Sequence, residues 1–312
     1  MLLTNAIYFG ISCLFLIASG TLLVKSLSMI SRMLRISEFS AAFIIMATAT
    51  SLPELFVGIS AATQGNPALS LGNVIGANIL NLTLITGIII LLSKEIKTNK
   101  KVEKDAYFML FGIILIILLY IIGKTISRID GVLLLGFFGL NFYRTLRKRK
   151  KFKKKIENGV SRKNKFLPLL IFIVAFIILV ASSQFVVRYA QALAVDLALP
   201  QILIGLFLLS IATTLPELVF GISAAKMEHN EMGIGDEIGT ILANSTLILG
   251  IVAILHPIEA VFLPFITSAI FMFIAAFVFT TFLITGRKLE TLEGISLILL
   301  YVLFVIIEFF IK

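Results

Sequence analysis

Long uninterrupted apolar runs dominate this sequence and restrict the folds that it can adopt. Ten such runs, each roughly 20 residues long, alternate with short polar stretches. A transmembrane β-barrel would instead alternate apolar and polar residues, so the runs indicate an all-α membrane protein with ten transmembrane helices. Only 14% of the 312 residues are charged, and the mean hydropathy of +1.08 exceeds what a soluble domain needs. The predicted segments lie near 5–25, 38–63, 68–92, 105–123, 130–146, 166–190, 198–226, 232–255, 258–285 and 292–311.

The distribution of basic residues orients these segments. With the amino terminus outside, the inner loops hold 23 of the 27 Lys and Arg residues and the outer side holds four. The positive-inside rule therefore predicts that both termini lie on the outer side of the cell membrane. Twelve of the basic residues fall in 144–165, a predicted cytoplasmic loop between a first half (1–143) and a second half (166–312). We interpret this loop as a topology anchor beside anionic lipid headgroups rather than as a nucleic-acid patch.

One motif occurs twice, as ATATSLPELFVGISAA at 47–62 and as SIATTLPELVFGISAA at 210–225. The two copies and the residues after them align without a gap, at a constant offset of 163. Each half holds five predicted helices, an odd number, so duplicated halves would be inverted relative to each other in the membrane. Inverted repeats with Gly- and Pro-interrupted helices are typical of secondary transporters, whose substrate site lies near the midplane.

The dipeptides Pro53-Glu54 and Pro216-Glu217 place a helix breaker and an acid inside two apolar segments. A proline cannot donate to the carbonyl four residues earlier, so this carbonyl needs another partner in the bilayer. A carboxylate there costs several kcal/mol unless it is paired, and no Lys or Arg lies at comparable depth in the second, third, seventh or eighth segment. We expect a bound cation to be the partner. The alternative is that the prolines only kink the helices and that the acids are protonated or reach the interface.

Other oxygen-bearing side chains accompany the two glutamates. The amides of Asn81 and Asn244 fall near the middle of the third and eighth segments. Two residues with hydroxyl groups precede each proline in the sequence, whereas the glutamate follows it. Together these groups would form an all-oxygen shell, which hard cations such as Ca²⁺ and Na⁺ prefer and soft transition metals do not. The hydroxyl residues are Thr50, Ser51, Thr213 and Thr214. The single cysteine, Cys13, allows neither an internal disulfide nor a cysteine metal cluster.

The paired T-S/T-L-P-E-L motifs, each followed by G-N/D-x-I-G, resemble the α-repeats of the cation/calcium exchanger superfamily, which includes the sodium/calcium exchangers. The resemblance covers about residues 40–88 and 203–251. It implies central ion sites between helices 2, 3, 7 and 8, with helices 1 and 6 sliding across this core. It also implies exchange of Ca²⁺ against Na⁺, H⁺, or Na⁺ with K⁺, and no cofactor besides the transported ions. By position it adds four ligand positions: the backbone of Ala47 and of Ser210, Ala77 and Thr240.

The chain departs from this family pattern at three places. Ala77 stands where a serine hydroxyl often ligates, and Asn244 stands where some relatives have an aspartate, which leaves two central acids. In the second repeat, Asp236-Glu237 replaces the Asn73-Val74 pair of the first, and Ile241 replaces the amide of Asn78. Two interpretations of the acidic pair stay open. The acids line a path by which ions enter, or they are solvated acids that the helix dipole favours at a helix start.

We predict a secondary antiporter that exchanges Ca²⁺ for Na⁺ by alternating access, because the hydroxyl and carbonyl groups supply extra ligands for Na⁺. The alternative is H⁺/Ca²⁺ exchange, since two glutamates can carry two protons. A cation channel is less favoured, because the chain completes its pseudo-symmetry internally. We do not expect an enzyme: a nucleophile at Ser60 or Ser223 needs a base, and neither His229 nor His256 lies at midplane depth. We expect no obligate protein partner.

Overall fold

Ten helices account for most of the chain in a computed structural model, which describes residues 2–34, 37–63, 65, 67–98, 100–147, 166–196, 209–259 and 262–311. By length and composition alone, five stretches of the described helices qualify as membrane spans. They are Glu38–Thr63, Ser70–Ser93, Val102–Gly123, Asn230–Leu255 and Ile266–Ile284. The helices of the described ranges are α1 (Leu2–Leu34), α2 (Glu38–Thr63), α3 (67–93), α4 (Lys100–Gly123), α5 (Arg128–Arg147), α6 (Phe166–Asp196), α7 (Leu209–Lys226), α8 (Asn230–Leu255), α9 (Phe262–Ile284) and α10 (Thr291–Ile311).

Most predicted segments coincide with a helix, and the differences are at the ends. Helix α1 continues to Leu34 and α6 to Asp196, well past the predicted ends at 25 and 190. The first residues of the predicted basic loop, 144–147, complete α5, and residues 148–165 lie outside the described ranges. The predicted start of the seventh segment, 198–208, lies outside them as well.

Four short strands join helix ends, and the sequence analysis did not predict them. They are β1 (Glu95–Lys97), β2 (Thr125–Ile126), β3 (Ile258–Glu259) and β4 (Lys288–Glu290). Strand β1 pairs antiparallel with β4, and β2 pairs antiparallel with β3. Residues 258–259 were predicted to begin the ninth helix. Their pairing with β2 satisfies backbone groups that a helix start would leave open.

Two hydrophobic clusters hold the bundle together. The larger cluster joins α3, α4, α8, α9 and α10 around side chains such as Leu82, Met109 and Phe279. The smaller one joins α1, α2, α6 and α7 around Leu23, Leu27 and Phe220. Large apolar side chains on the outer helices are exposed, for example on α1, α4 and α10, as expected of surfaces that face lipid. Helices α2, α3, α7 and α8 therefore occupy the centre.

Candidate cation-binding site

Three of the four central helices depart from regular α-helical geometry where the candidate residues lie. Helix α2 contains a π-helical turn at Ala42–Met46 and is interrupted at Ser51, just before Pro53. Helices α3 and α8 contain π-helical turns at Asn81–Ile85 and Ala243–Ile248. Such turns shift the backbone hydrogen-bond pattern and are frequent at functional sites. Helix α7 differs, because Pro216 lies inside a continuous helix and not at a break.

The carboxylates of Glu54 and Glu217 are completely buried among these helices. Both side chains are 0% exposed, and within the described residues none of their four oxygens has a hydrogen-bond partner. Helix α7 contacts α2 at Ala47–Thr50, just before Glu54, so the two acids lie on neighbouring helices. Asp105 on α4 is equally buried, but Arg144 contacts it at 2.6 Å. The central acids therefore differ from an ordinary buried acid in lacking a protein cation.

Each half has a backbone carbonyl that accepts hydrogen bonds from the hydroxyls three and four residues later. The carbonyl of Ala47 accepts from Ser51 at 2.7 Å and from Thr50 at 3.5 Å. The carbonyl of Ser210 accepts from Thr214 at 2.9 Å and from Thr213 at 3.3 Å. A hydroxyl that donates its hydrogen in this way still presents oxygen lone pairs to a cation.

Hydrogen bonds between the helices bring further candidate residues together. The hydroxyls of Thr50 on α2 and Thr240 on α8 lie 3.4 Å apart. Thr213 on α7 donates to the side-chain oxygen of Asn73 on α3 at 3.4 Å. Sequence reasoning missed Asn73 as part of the site, although the constant offset pairs it with the acidic position Asp236.

The amides of Asn81 and Asn244 are also fully buried, and their partners differ. The amide nitrogen of Asn244 donates to the side-chain oxygen of Asn78 at 3.2 Å, and Asn78 in turn donates to Ser245 at 2.9 Å. Neither side-chain atom of Asn81 has a hydrogen-bond partner among the described residues. The sequence analysis mentioned Asn78 only because its counterpart in the second repeat, Ile241, has no amide. Its spacing of three residues from Asn81, one helical turn, could have indicated that both amides face the site. Ala77 is buried and offers no side-chain oxygen.

Asp236 and Glu237 are buried as well, which corrects one of the two interpretations of this pair. Both side chains are 0% exposed, and their four oxygens have no hydrogen-bond partner within the described part of the chain. The interpretation as solvated acids at a helix start is therefore wrong. Helix α8 begins at Asn230, so the pair lies nearly two turns inside the helix, where neighbouring helices exclude water.

Among the described residues, no group of three or more His, Cys, Asp and Glu side chains converges as a metal cluster. The acids alone therefore do not form a complete cation shell. Any ion held between Glu54 and Glu217 would need the hydroxyl, amide and carbonyl oxygens around them, which is the ligand mixture that Ca²⁺ and Na⁺ accept.

Comparison with known proteins assigns this helical bundle with its buried oxygen-rich centre to a class of membrane transporters. A family profile described as sodium/calcium exchanger protein matches residues 4–146 and 167–310. The chain therefore belongs to the sodium/calcium exchanger family. It is an integral, multi-pass membrane protein of a transporter family, not of an enzyme family.

Individual relatives agree with this assignment. The sodium/calcium exchanger MaX1 of Methanosarcina acetivorans is 24% identical, and the alignment covers 100% of both chains. The putative antiporter CaxA of Alkalimonas amylolytica is 28% identical over 82% of each chain. A solved structure of the sodium-calcium exchanger NCX_Mj, soaked with 2.5 mM Na⁺ and 1 mM Sr²⁺, superposes with a TM-score of 0.86 at 25% identity and covers 98% of both chains.

Proposed function

We propose that this protein exchanges Ca²⁺ for Na⁺ across the cell membrane as a secondary antiporter. The observation that carries the proposal is the pair Glu54 and Glu217, fully buried between four helices without a hydrogen-bond partner in the described residues. Desolvated carboxylates of this kind are stable in a membrane protein when a cation pairs with them. Ca²⁺ matches their combined charge of two.

The ion shell in this proposal combines three kinds of oxygen around the two acids. The hydroxyls at Thr50, Ser51, Thr213, Thr214 and Thr240 supply neutral ligands that suit Na⁺ as well as Ca²⁺. The carbonyls of Ala47 and Ser210 lie at the same hydroxyl clusters and extend the shell. The amides of Asn81 and Asn244 complete it, and Ala77 contributes no more than its backbone. The transported ions are the only cofactors in this scheme.

Alternating access in this proposal comes from motion of α1 and α6 across the four central helices. The two helices pack along each other, with Tyr8 stacked on Tyr189 at 5.2 Å, and they contact α2 and α7 through the smaller hydrophobic cluster. This contact surface is largely apolar, with a hydrogen bond from Ser28 on α1 to the carboxylate of Glu38 on α2. Such a surface lets a helix pair slide at low cost. The ten spans, the inverted halves and the outer position of both termini belong to the same proposal.

The similarity to sodium/calcium exchangers supports sodium as the counter-ion. MaX1 is named a sodium/calcium exchanger, and NCX_Mj structures were obtained with Na⁺ together with Ca²⁺ or Sr²⁺. Exchange of H⁺ for Ca²⁺ is the second candidate function, because two unpartnered carboxylates without a third acid in the shell can carry two protons in place of one Ca²⁺.

The test is uptake of ⁴⁵Ca²⁺ into proteoliposomes that contain the purified full-length chain. Vesicles loaded with Na⁺ are compared with vesicles that hold only a pH gradient, with a protonophore added as a control in both. We expect uptake that follows the outward Na⁺ gradient and survives the protonophore. Uptake driven only by the pH gradient would move the protein to H⁺/Ca²⁺ exchange, and uptake without either gradient would indicate a channel.

A further inference from the structure

Helix α8 presents Glu237 on the same face as two residues of the candidate site. Glu237, Thr240 and Asn244 are spaced by three and four residues, so their side chains form one row along the helix. Glu237 comes first in this row and lies one turn nearer the start of α8 than Thr240. The acidic pair therefore adjoins the candidate site and is not an isolated feature of the helix end.

Helix α7 lies opposite this row and brings Glu217 close to the pair. A Cβ atom built on Gly221 would be 4.0 Å from a carboxylate oxygen of Glu237. Gly221 follows Glu217 by four residues, so Glu217 and Glu237 border the same groove between α7 and α8. Glu217 is also fully buried, and neither of its oxygens has a hydrogen-bond partner among the described residues.

The number of buried acids exceeds what one divalent cation can balance. When ionised, Glu54, Glu217, Asp236 and Glu237 would together carry four negative charges, and none of their eight oxygens has a hydrogen-bond partner among the described residues. They also do not converge, since no three of them form a group that could hold a single metal ion in the described structure. One Ca²⁺ between Glu54 and Glu217 leaves two charges uncompensated next to it.

An open cavity leads toward the start of α8 from the side of the α7–α8 turn, which is the predicted cytoplasmic side. Its volume is about 270 Å³, and four acids line it. Glu38 contacts His229 at 2.8 Å and Glu95 contacts Lys97 at 3.8 Å, while Glu228 and Glu231 add further negative charge. Acidic walls raise the local concentration of cations. The cavity therefore attracts cations at the start of α8, which is the end of the helix nearest to Asp236 and Glu237.

We propose that Asp236 and Glu237 form a second Ca²⁺ site in the α7–α8 groove, one helical turn from the central site and occupied together with it. Its place in transport, as a waiting position between the cytoplasmic cavity and the centre, depends on the exchange function proposed above. Its occupancy by Ca²⁺ does not depend on that function. The first repeat has Asn73 and Val74 at the equivalent positions, so the second site exists in one half only.

The experiment measures ⁴⁵Ca²⁺ bound per chain at equilibrium, using the purified full-length protein in detergent without Na⁺. The test variant combines Asp236→Asn with Glu237→Val, which copies the Asn-Val pair that the first repeat already accommodates. We expect about two Ca²⁺ per wild-type chain and about one for the double variant. The matched control Glu259→Gln removes one exposed acid on β3 and should bind as the wild type does.

Thermal unfolding of the same samples shows whether the variant is folded, because it should unfold cooperatively at or above the temperature of the calcium-free wild type. Single substitutions Glu237→Gln and Asp236→Asn give the same comparison if the double variant is poorly folded. Equal Ca²⁺ stoichiometry in wild type and variants would overturn the second site and indicate that these acids are protonated. Absence of Na⁺-driven uptake in wild type would instead contradict the exchange function and leave the binding result intact.

Discussion

At the scale of single residues, the environment of each buried acid distinguishes a structural role from a role in binding. Asp105 contacts Arg144 at 2.6 Å, and the guanidinium of Arg144 lies 3.4 Å from the ring centre of Phe108, so this acid has a permanent partner. Glu54 and Glu217 have no such partner among the described residues. A charge that is buried without a partner is costly. We therefore expect the free energy cost of removing a bound cation to arise mainly at these two carboxylates.

We expect Glu54→Gln and Glu217→Gln each to abolish Na⁺-driven ⁴⁵Ca²⁺ uptake. Loss of one buried carboxylate ligand costs about 3 kcal/mol, which weakens Ca²⁺ binding roughly 100-fold. The folded protein should be no less stable without calcium, because the substitution removes an unpaired buried charge. Thermal unfolding with and without Ca²⁺ separates these effects, and Glu259→Gln serves as the exposed control. Normal uptake by either variant would remove the central site from the proposal.

Asn78 is expected to position Asn244 without contacting the ion itself. Asn78→Leu leaves the amide hydrogen of Asn244 without its acceptor, at a cost of about 1–3 kcal/mol. We predict roughly a tenfold rise in the KM for Ca²⁺ with little change in the maximal rate. Ser245→Ala is the control, because it removes the hydroxyl that accepts from Asn78 and leaves the bonds of Asn78 to Asn244 and Met272 in place. Equal KM values for wild type and Asn78→Leu would show that this bond has no influence on binding.

The duplication within the sequence pointed to several candidate residues and gave no signal for Asn73 and Asn78, which the structure adds to the candidate site. Thr50, Glu54 and Asn81 each have an identical residue 163 positions later, and this duplication identified them. The counterpart of Asn78 is Ile241, and the counterpart of Asn73 is Asp236. A residue type that occurs once carries no signal of this kind, and its hydrogen bonds depend on helix packing that only the structure shows.

At the scale of helices, two glycines bring the backbone of α8 against that of α2. A Cβ on Gly235 would lie 2.6 Å from the carbonyl oxygen of Phe39, and one on Gly239 would lie 2.6 Å from that of Phe43, so α8 contacts the backbone of α2 directly. At Gly72, the counterpart of Gly235, no described atom lies within 4 Å of the same position. Helix α8 is therefore packed directly against α2. Gly72 is exposed, and the residues equivalent to Phe39 and Phe43, 202 and 206, lie outside the described ranges.

This difference predicts opposite effects for one substitution at two equivalent sites. Gly235→Ala should destabilise the protein by about 1–3 kcal/mol and impair uptake, because the added methyl group forces α8 away from α2. Gly72→Ala should stabilise it by about 0.5–1 kcal/mol, since alanine restricts the unfolded chain more than glycine does. Thermal unfolding temperatures of the two variants test this. A similar loss of stability at both glycines would mean that α3 is packed as tightly as α8.

The π-helical turns are the part of the helices that the sequence could not predict. The turn at Asn81–Ile85 has the sequence NLTLI and contains neither proline nor glycine, which are the usual signals of an irregular helix. A π-helical turn accommodates one extra residue in a helix whose two ends are fixed by packing. The backbone N–H of Thr86 donates to the carbonyl of Asn81, five residues earlier, as this wider turn requires, and the Thr86 hydroxyl donates to the same oxygen at 2.7 Å.

At the scale of the whole molecule, contacts outside the motifs follow the same offset of 163. A Cβ on Gly87 of α3 would lie 2.8 Å from the carbonyl oxygen of Gly294 on α10, and one on Gly131 of α5 would lie 2.7 Å from that of Gly250 on α8. Adding 163 converts Gly87 into Gly250 and Gly131 into Gly294. Strands β1 and β2 begin 163 residues before β3 and β4, so one paired sheet maps onto the other. These correspondences support two duplicated halves and could be expected from the repeat alone.

The remaining question is whether the halves are inverted in the membrane, and two turn residues make a matched test. Gly65 follows α2, and its counterpart Glu228 follows α7; both have positive φ, 75° and 62°. Because five helices separate equivalent points of the two halves, Gly65 should face outside and Glu228 inside. A cysteine at Gly65 adopts the left-handed conformation at a cost of about 1–2 kcal/mol, a strain that Glu228 already bears in the equivalent turn.

We therefore expect Gly65→Cys, but not Glu228→Cys, to react in intact cells with a membrane-impermeant maleimide, in a chain that also carries Cys13→Ser. Lysis before labelling should make both cysteines reactive, which controls for burial at the turn. Reaction at Glu228→Cys alone would reverse the orientation that the basic residues predict and keep the inversion. Reaction at both positions in intact cells would place the two turns on the same side of the membrane and contradict the inversion. Without inverted halves, one symmetric motion could not expose Glu54 and Glu217 alternately to the two sides.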